Sequence, residues 1–146
     1  MAVTAKWYGN AFLKALNKEI DWDTDTIKVQ LHTSSYTPDP DAHDYHADLT
    51  NEVANGNGYT TGGATLANKT IGYTGGTNVV KLDGDDVSWA AATITARYAV
   101  IVDTTPGSSA TNPVLGYVDF GADVASTAGT FAITWHADGI FTITPA

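Results

Sequence analysis

One short stretch of the sequence has residue types and a spacing that could bind a metal ion. It reads Asp39-Pro40-Asp41-Ala42-His43-Asp44-Tyr45-His46-Ala47-Asp48. Because His43 and His46 are three residues apart, one helical turn would bring them together, and imidazole with carboxylate suits zinc and other first-row metals. Polar loops of this composition are common, however, and the stretch has neither cysteine nor an H-E-x-x-H pattern. We therefore expect a solvated loop or interface, with His43, His46 and Asp41 as ligands in the alternative.

Other chemical motifs in the sequence are incomplete. The run Asp83-Gly84-Asp85-Asp86 begins like a calcium loop but lacks the remaining ligands, so it predicts a β-turn. The chain has no G-x-S-x-G nucleophile elbow. Trp22 lies among aspartates in a turn, where we expect it to be partly exposed, and Arg97 should pair with an aspartate. These observations predict a protein that is not an enzyme and needs no cofactor.

The composition bears on the class of partner. The chain has 146 residues, with 16 acidic and 7 basic side chains and a formal net charge of −9. Nucleic-acid binders need clustered lysine or arginine, and anionic membranes repel an acidic chain, so we expect neither partner. No apolar run approaches the roughly 18 residues of a membrane-spanning helix. The first residues also lack the pattern of a secretory signal peptide.

The N-terminal region predicts the only substantial helix, over about residues 5–19 with Thr4 as its N-cap. An apolar stripe recurs every four residues at Tyr8, Phe12, Leu16 and Ile20. Lysines at positions 6, 14 and 18 can occupy the opposite side. We expect the stripe to pack on a sheet, and the alternative is that a partner receives it.

The rest of the chain predicts a mainly β structure that forms one domain with the helix, over residues 1–146. Ile27, Val29 and Leu31 alternate with polar residues, which indicates a strand at 26–32. A long polar loop or arm follows at about 34–63, with a short helix around 45–53. In the β-rich part, about 64–146, strands are expected at 64–73, 78–83, 87–89, 94–103, 114–120, 130–135 and 140–144.

Short, regularly spaced strands predict an antiparallel β-sandwich or a jelly-roll-like domain. The strand at 94–103 is the most apolar and should be central. The side chains expected in the core are Ile27, Val29, Leu31, Leu66, Ile94, Val100, Val102, Phe131, Ile133 and Trp135.

Motifs along nearly the whole chain resemble those of small virion structural proteins of tailed bacteriophages. They are Trp7-Tyr8-Gly9-Asn10-Ala11-Phe12, Asp25-Thr26-Ile27-Lys28-Val29-Gln30-Leu31, Tyr36-Thr37-Pro38-Asp39, Asn51-Glu52-Val53, Gly58-Tyr59-Thr60-Thr61-Gly62-Gly63-Ala64-Thr65-Leu66, Thr93-Ile94-Thr95-Ala96-Arg97-Tyr98-Ala99-Val100, Gly116-Tyr117-Val118-Asp119-Phe120-Gly121 and Phe131-Ala132-Ile133-Thr134-Trp135. None of these motifs is a catalytic signature.

The resemblance implies a capsid decoration, or cement, protein on the outer surface of the virion, made in the host cytoplasm. Its partners would be the major capsid protein and copies of itself, with a trimer as one option. The residues expected to contact partners are Lys6, Lys14, Lys18, Trp22, Tyr36, Asp39, Asp41, His43, Tyr45 and His46. The alternatives are a tail or head-fibre component that contacts the host surface or glycans, a carbohydrate-binding module, and a hydrolase with a carboxylate pair.

Overall fold

Antiparallel strands account for most of the regular structure in the computed structural model, which describes residues 2–145. The elements are β1 Thr4–Trp7, α1 Asn10–Leu16, β2 Ile27–His32, a 3-10 turn His46–Asp48, β3 Ala64–Thr65, β4 Thr70–Thr74, β5 Val79–Asp83, β6 Val87–Ala92, β7 Thr95–Asp103, β8 Val114–Ala125, β9 Gly129–Ile133 and β10 Phe141–Ile143. No helix within residues 2–145 has the length and apolar composition to cross a bilayer. The predicted mainly β fold with one α-helix is confirmed.

Three sheets form the sandwich. The large sheet has the strand order β1-β8-β7-β2-β3, and β10-β5-β4 and β6-β9 form two smaller sheets. The predicted strand 64–73 is divided between β3 and β4, which belong to different sheets. β7 lies in the middle of the large sheet, as its apolar sequence predicts, because both of its edges pair with neighbouring strands.

The main core fills the space between one face of the large sheet and the two smaller sheets. Ile27, Val29 and Leu31 of β2 pack there with residues of the smaller sheets, such as Leu82 and Phe131. Nine of the ten predicted core residues are buried. The exception is Trp135, which is half-buried because it follows β9 at the surface, where its indole donates a hydrogen bond to the Asp85 carbonyl at 2.9 Å.

The second face of the large sheet is buried as well, beneath Tyr8 and the first part of residues 34–63. Val100 and Val102 of β7 pack there against Tyr36, and Leu49 adds a partly buried contact. Gln30 and His32, the polar partners in the alternation along β2, are buried on this face. The 34–63 region is therefore folded onto the domain, its first part over this face and its last part, with Tyr59, in the main core, and we call the whole region the covering segment.

The N-terminal helix is shorter than predicted. Residues 4–7 form β1, which pairs with β8 through Lys6↔Tyr117 and Trp7↔Gly116. A Cβ atom at Gly116 would lie 2.6 Å from the Phe141 ring, so glycine at this position permits the close packing of β1 and β10 on β8. The N-cap is Gly9, so the prediction of Thr4 in this role and of a helix over 5–19 is wrong: backbone pairing with β8 competes with helix formation and prevails.

Candidate functional site

The covering segment is tied to the edge of β2 by backbone hydrogen bonds. The Val53 amide donates to the Leu31 carbonyl at 2.8 Å, and the Thr33 amide donates to the Asn51 carbonyl at 3.0 Å. On its other side, the His46 amide donates to the Asn112 carbonyl at 2.9 Å. These bonds satisfy backbone groups of a sequence too irregular to form a strand, so the segment has a defined shape.

Glu52 fixes the end of the covering segment. Its Oε1 accepts hydrogen bonds from the Tyr59 hydroxyl and the Gly62 amide, both at 2.6 Å. The same hydroxyl accepts a bond from the Leu31 amide at 3.0 Å. Burial, with the hydrogen bond to Glu52, raises the pKa of Tyr59, so the phenol stays protonated and acts as a structural donor.

A chain of three aromatic side chains holds the start of the segment. The Tyr8 and Tyr36 hydroxyls are 2.6 Å apart, and the Tyr36 hydroxyl lies 2.8 Å from Nδ1 of His43. Burial raises the pKa of Tyr36 to about 12, and burial also raises that of Tyr8. His43 is thus engaged in a structural hydrogen bond within the domain.

Lys14 joins α1 to the covering segment. Its Nζ contacts the Tyr45 hydroxyl and lies 3.3 Å from Glu19 Oε2 and 3.5 Å from Asp44 Oδ2. Burial disfavours the ammonium charge, but the hydrogen bonds to Tyr45 and Glu19 and the charge of Asp44 outweigh it, so the pKa of Lys14 is raised. Because Lys14 is nearly buried, this cation serves the domain internally.

Of the other two candidate metal ligands, Asp41 is exposed, and His46 has its Nε2 3.2 Å from the amide nitrogen of Gln30, which is buried beneath the covering segment. His32 lies nearby, and its Nδ1 donates a hydrogen bond to the Thr50 carbonyl at 2.8 Å; burial lowers the pKa of this imidazole. Within residues 2–145, no group of three or more His, Asp or Glu side chains is placed to hold a metal ion. The fold therefore does not bring His43, His46 and Asp41 together as the ligands of one metal site.

The residues predicted to contact partners are divided between the surface and the interior. Exposed side chains are Lys6, Lys18, Asp39 and Asp41; half-buried ones are His43, Tyr45 and His46; buried ones are Lys14, Tyr36 and Trp22. Only the exposed group and the half-buried group, which lie on β1, at the end of α1 and on the covering segment, offer atoms that a partner can reach.

Trp22 is buried, with 4% of its surface exposed, so the prediction of partial exposure is wrong. Its indole donates to the Thr70 carbonyl at 2.9 Å and to the Asp83 carbonyl at 3.2 Å. In this turn Asp21 and Asp23 are exposed while the ring of Trp22 enters the core, and the flanking aspartates in the sequence do not reveal this direction. Arg97 does pair with an aspartate, since its Nε lies 2.6 Å from Asp119 Oδ1, and this confirms the prediction.

Sequence reasoning missed a surface on which large apolar side chains point outward. It consists of Phe12, Leu13 and Leu16 of α1 and of Ile71 and Tyr73 of β4, and we call it the α1–β4 face. Between these elements lies an apolar groove of about 130 Å³, lined by Trp7, Phe12, Ile20, Trp22, Ile71 and Ile143 among others. The signal in the sequence was Leu13, an apolar residue outside the predicted stripe.

A buried carboxyl lies at the end of β7. Asp103 is fully buried, and its Oδ1 accepts a hydrogen bond from the Thr105 amide at 2.8 Å. Burial raises the pKa of Asp103 to about 6, and the neighbouring Asp25 carboxyl adds to the effect. Oδ2 receives no donor from the described residues, so a bond between the two carboxyls requires a proton on one of them.

The raised pKa of Asp103 predicts a specific dependence of stability on pH. The folded state holds this proton up to about pH 6, whereas an unfolded aspartate loses it near pH 3.9. The contribution of Asp103 is therefore fully present below the unfolded value and is lost as pH rises through about 6. The loss amounts to about 3 kcal/mol, and Asp103→Asn should remove it because the amide can donate to Asp25 without ionising.

The measurement is the urea midpoint of the parent and of Asp103→Asn as a function of pH. The lowered pKa of His32 acts in the opposite direction, since stability from a neutral buried histidine falls as pH drops. That contribution is common to both proteins and cancels in their difference. A difference in stability that stays constant between about pH 4 and pH 8 would show that Asp103 does not titrate in this range.

Comparisons with known proteins identify no relative. No family model, no curated protein and no solved structure matches this chain.

Proposed function

We propose that the chain is a non-enzymatic virion structural protein, a capsid decoration or cement protein that binds the major capsid shell and stabilises it. The observation that carries the proposal is the covering segment, a long layer held in one shape by buried and partly buried hydrogen bonds and by the ion pair between Lys14 and Asp44. A preformed surface loses little conformational entropy on binding. The resemblance of the sequence to small virion proteins supports the same role.

The charge distribution favours the outside of a shell. The formal net charge is −9, and Lys14, Lys81 and Arg97 are already paired with acidic groups within the chain. Exposed carboxylates at Asp39 and Asp41 lie on the covering segment. Such a surface is repelled by packaged DNA and is complementary to a basic patch on the outer face of a shell.

Counting labelled copies on particles tests this role. A tagged chain is produced during infection by the phage that encodes it, and electron microscopy locates the tag on purified virions. Many copies spread over the head are the expected result, because a cement protein repeats with the shell lattice. A few copies confined to the tail or to head fibres would favour the alternative of a fibre component, and particles without the tag would overturn both roles.

The contribution of the covering segment is tested by one charge reversal. Deleting residues 39–48 would also remove the partners of Lys14 and Tyr36, so a surface substitution is cleaner. Asp41→Lys should weaken binding to heads about tenfold, because an attraction becomes a repulsion. Asp138→Lys is the matched control, since Asp138 is an exposed carboxylate in the β9–β10 connection and changes the net charge equally. Equal occupancy of the two variants would exclude Asp41 from the interface.

A further inference from the structure

The α1–β4 face leaves an unusual amount of apolar surface uncovered. Leu16 is 85% exposed, Tyr73 61%, Leu13 55%, Ile71 50% and Phe12 39%. A free aromatic or large aliphatic side chain presents roughly 150–200 Å², so these five together expose roughly 500 Å². This total is comparable with the largest apolar patch of an ordinary monomer, and Phe12 and Ile71 adjoin across the groove.

The fold turns these side chains outward. α1 has only seven residues, and the buried positions within it are Ala11 and Lys14. Leu16 lies one turn after Phe12 on the outer side. In β4, Ile71 and Tyr73 lie two residues apart and so share one face of an edge strand. A ridge on the helix and a groove beside the strand therefore stand next to each other.

The rim of this face carries charges of both signs. Lys18 and the exposed carboxylates of Asp21 and Asp23 line the surface beside Ile20 and Ile71. Lys18 has a φ of 63° just after α1, a conformation in which glycine is favoured and a lysine is mildly strained. A cation is thus held next to two carboxylates in a chain that is otherwise strongly acidic.

These features describe a self-complementary surface. A contact related by a twofold axis uses the same patch on both copies, so the patch must contain both a ridge and a groove and both signs of charge. A threefold contact needs two different patches instead. The roughly 500 Å² of apolar surface is more than half of the roughly 800 Å² per partner of a standard protein interface, and the charged rim adds to it.

We propose that the α1–β4 face binds a second copy of this chain in a twofold dimer. Leu16 of each copy enters the apolar groove of the other, and Lys18 meets Asp23 across the interface. The inference goes beyond the proposed function, and it specifies a dimer, where the resemblance implied copies of the chain with a trimer as one option, on a surface distinct from the covering segment.

Sedimentation of the full chain over a wide concentration range tests the dimer. The parent should sediment as a dimer that dissociates on dilution. Leu16→Lys should weaken dimerisation at least about tenfold, because the ammonium would have to enter an apolar groove. Val124→Lys is the matched control, since Val124 is 44% exposed on β8 and should leave the dimer unchanged. A parent that is monomeric or trimeric throughout, or a Leu16→Lys variant that dimerises like the parent, overturns the inference.

A charge exchange tests the orientation of the two copies. Lys18→Glu and Asp23→Lys should each weaken the dimer, and the double variant should recover most of the parental affinity because the pair is restored with opposite polarity. A double variant weaker than either single one would exclude the Lys18–Asp23 contact and the proposed arrangement with it.

The dimer and the proposed role in the virion can be tested separately. A parent chain that dimerises through this face but is missing from particles would overturn the proposed function and leave the dimer standing. A parent chain that covers heads while remaining monomeric in solution would overturn the dimer and leave the proposed function standing.

Discussion

Replacing Val100 by aspartate is expected to unfold the protein. Val100 is fully buried in the middle of the large sheet, between Gln30 of β2 and Tyr117 of β8. Its side chain lies in the cluster beneath the covering segment with aliphatic and tyrosine side chains, and its cross-strand neighbour Gln30 is uncharged. An ionised carboxylate there would be unpaired, which costs several kcal/mol out of a total stability of about 5–15 kcal/mol.

Thermal unfolding followed by circular dichroism measures this effect. Val124→Asp introduces the same charge at a partly exposed position of β8 and should change the melting temperature by only a few degrees. If Val100→Asp also melts within a few degrees of the parent, the face beneath the covering segment is open to water and the segment is not a layer of the core.

The second large effect is expected at Gly63, where the covering segment enters β3. Gly63 has a φ of +76°, and a Cβ atom there would collide with the Val29 carbonyl and lie 2.8 Å from the Gln30 Cα. Neither backbone group can move without breaking the β2–β3 and β2–β7 pairing. Gly63→Ala should therefore cost at least about 4 kcal/mol, the size of effect seen when packing and backbone strain combine.

Gly62 provides an internal control one residue away. Its φ is +94°, but a Cβ atom at this position would meet only the flexible end of Lys28 at 3.9 Å. Gly62→Ala should cost about 1–2 kcal/mol from backbone strain alone. Urea denaturation of both variants separates strain from collision. Equal losses in the two proteins would mean that β3 can shift away from β2 at little cost.

Local patterns were sufficient to predict most strands and the class of fold. The alternation along β2 and the continuous apolar run of β7 involve side chains close together on one strand, so the sequence alone predicts both strands. An ion pair between Arg97 and an aspartate could be predicted because a lone cation in an apolar strand requires a partner. The identity of that partner, Asp119, follows only from the pairing of β7 with β8.

The candidate surfaces were less predictable, because contacts distant in sequence decide them. Lys14 and Tyr36 were expected to meet a partner, but they bind Asp44 and Tyr8 within the domain. Leu16 was expected to pack on a sheet, but it points outward because α1 turns Ala11 and Lys14 toward the domain instead. Whether a polar or apolar side chain is covered depends on a neighbour many residues away.

The sequence by itself determined a mainly β domain with its central strand, its main core and its acidic surface, since these follow from local periodicity and composition. Only the tertiary structure decided that the first part of the covering segment lies over the second face of the large sheet, where Gln30 and His32 are buried. The same holds for the outward ridge of α1 beside β4. The physical reason is that hydrogen bonds such as Tyr8–Tyr36 and Val53–Leu31 join residues far apart in the chain, and no local pattern encodes their meeting.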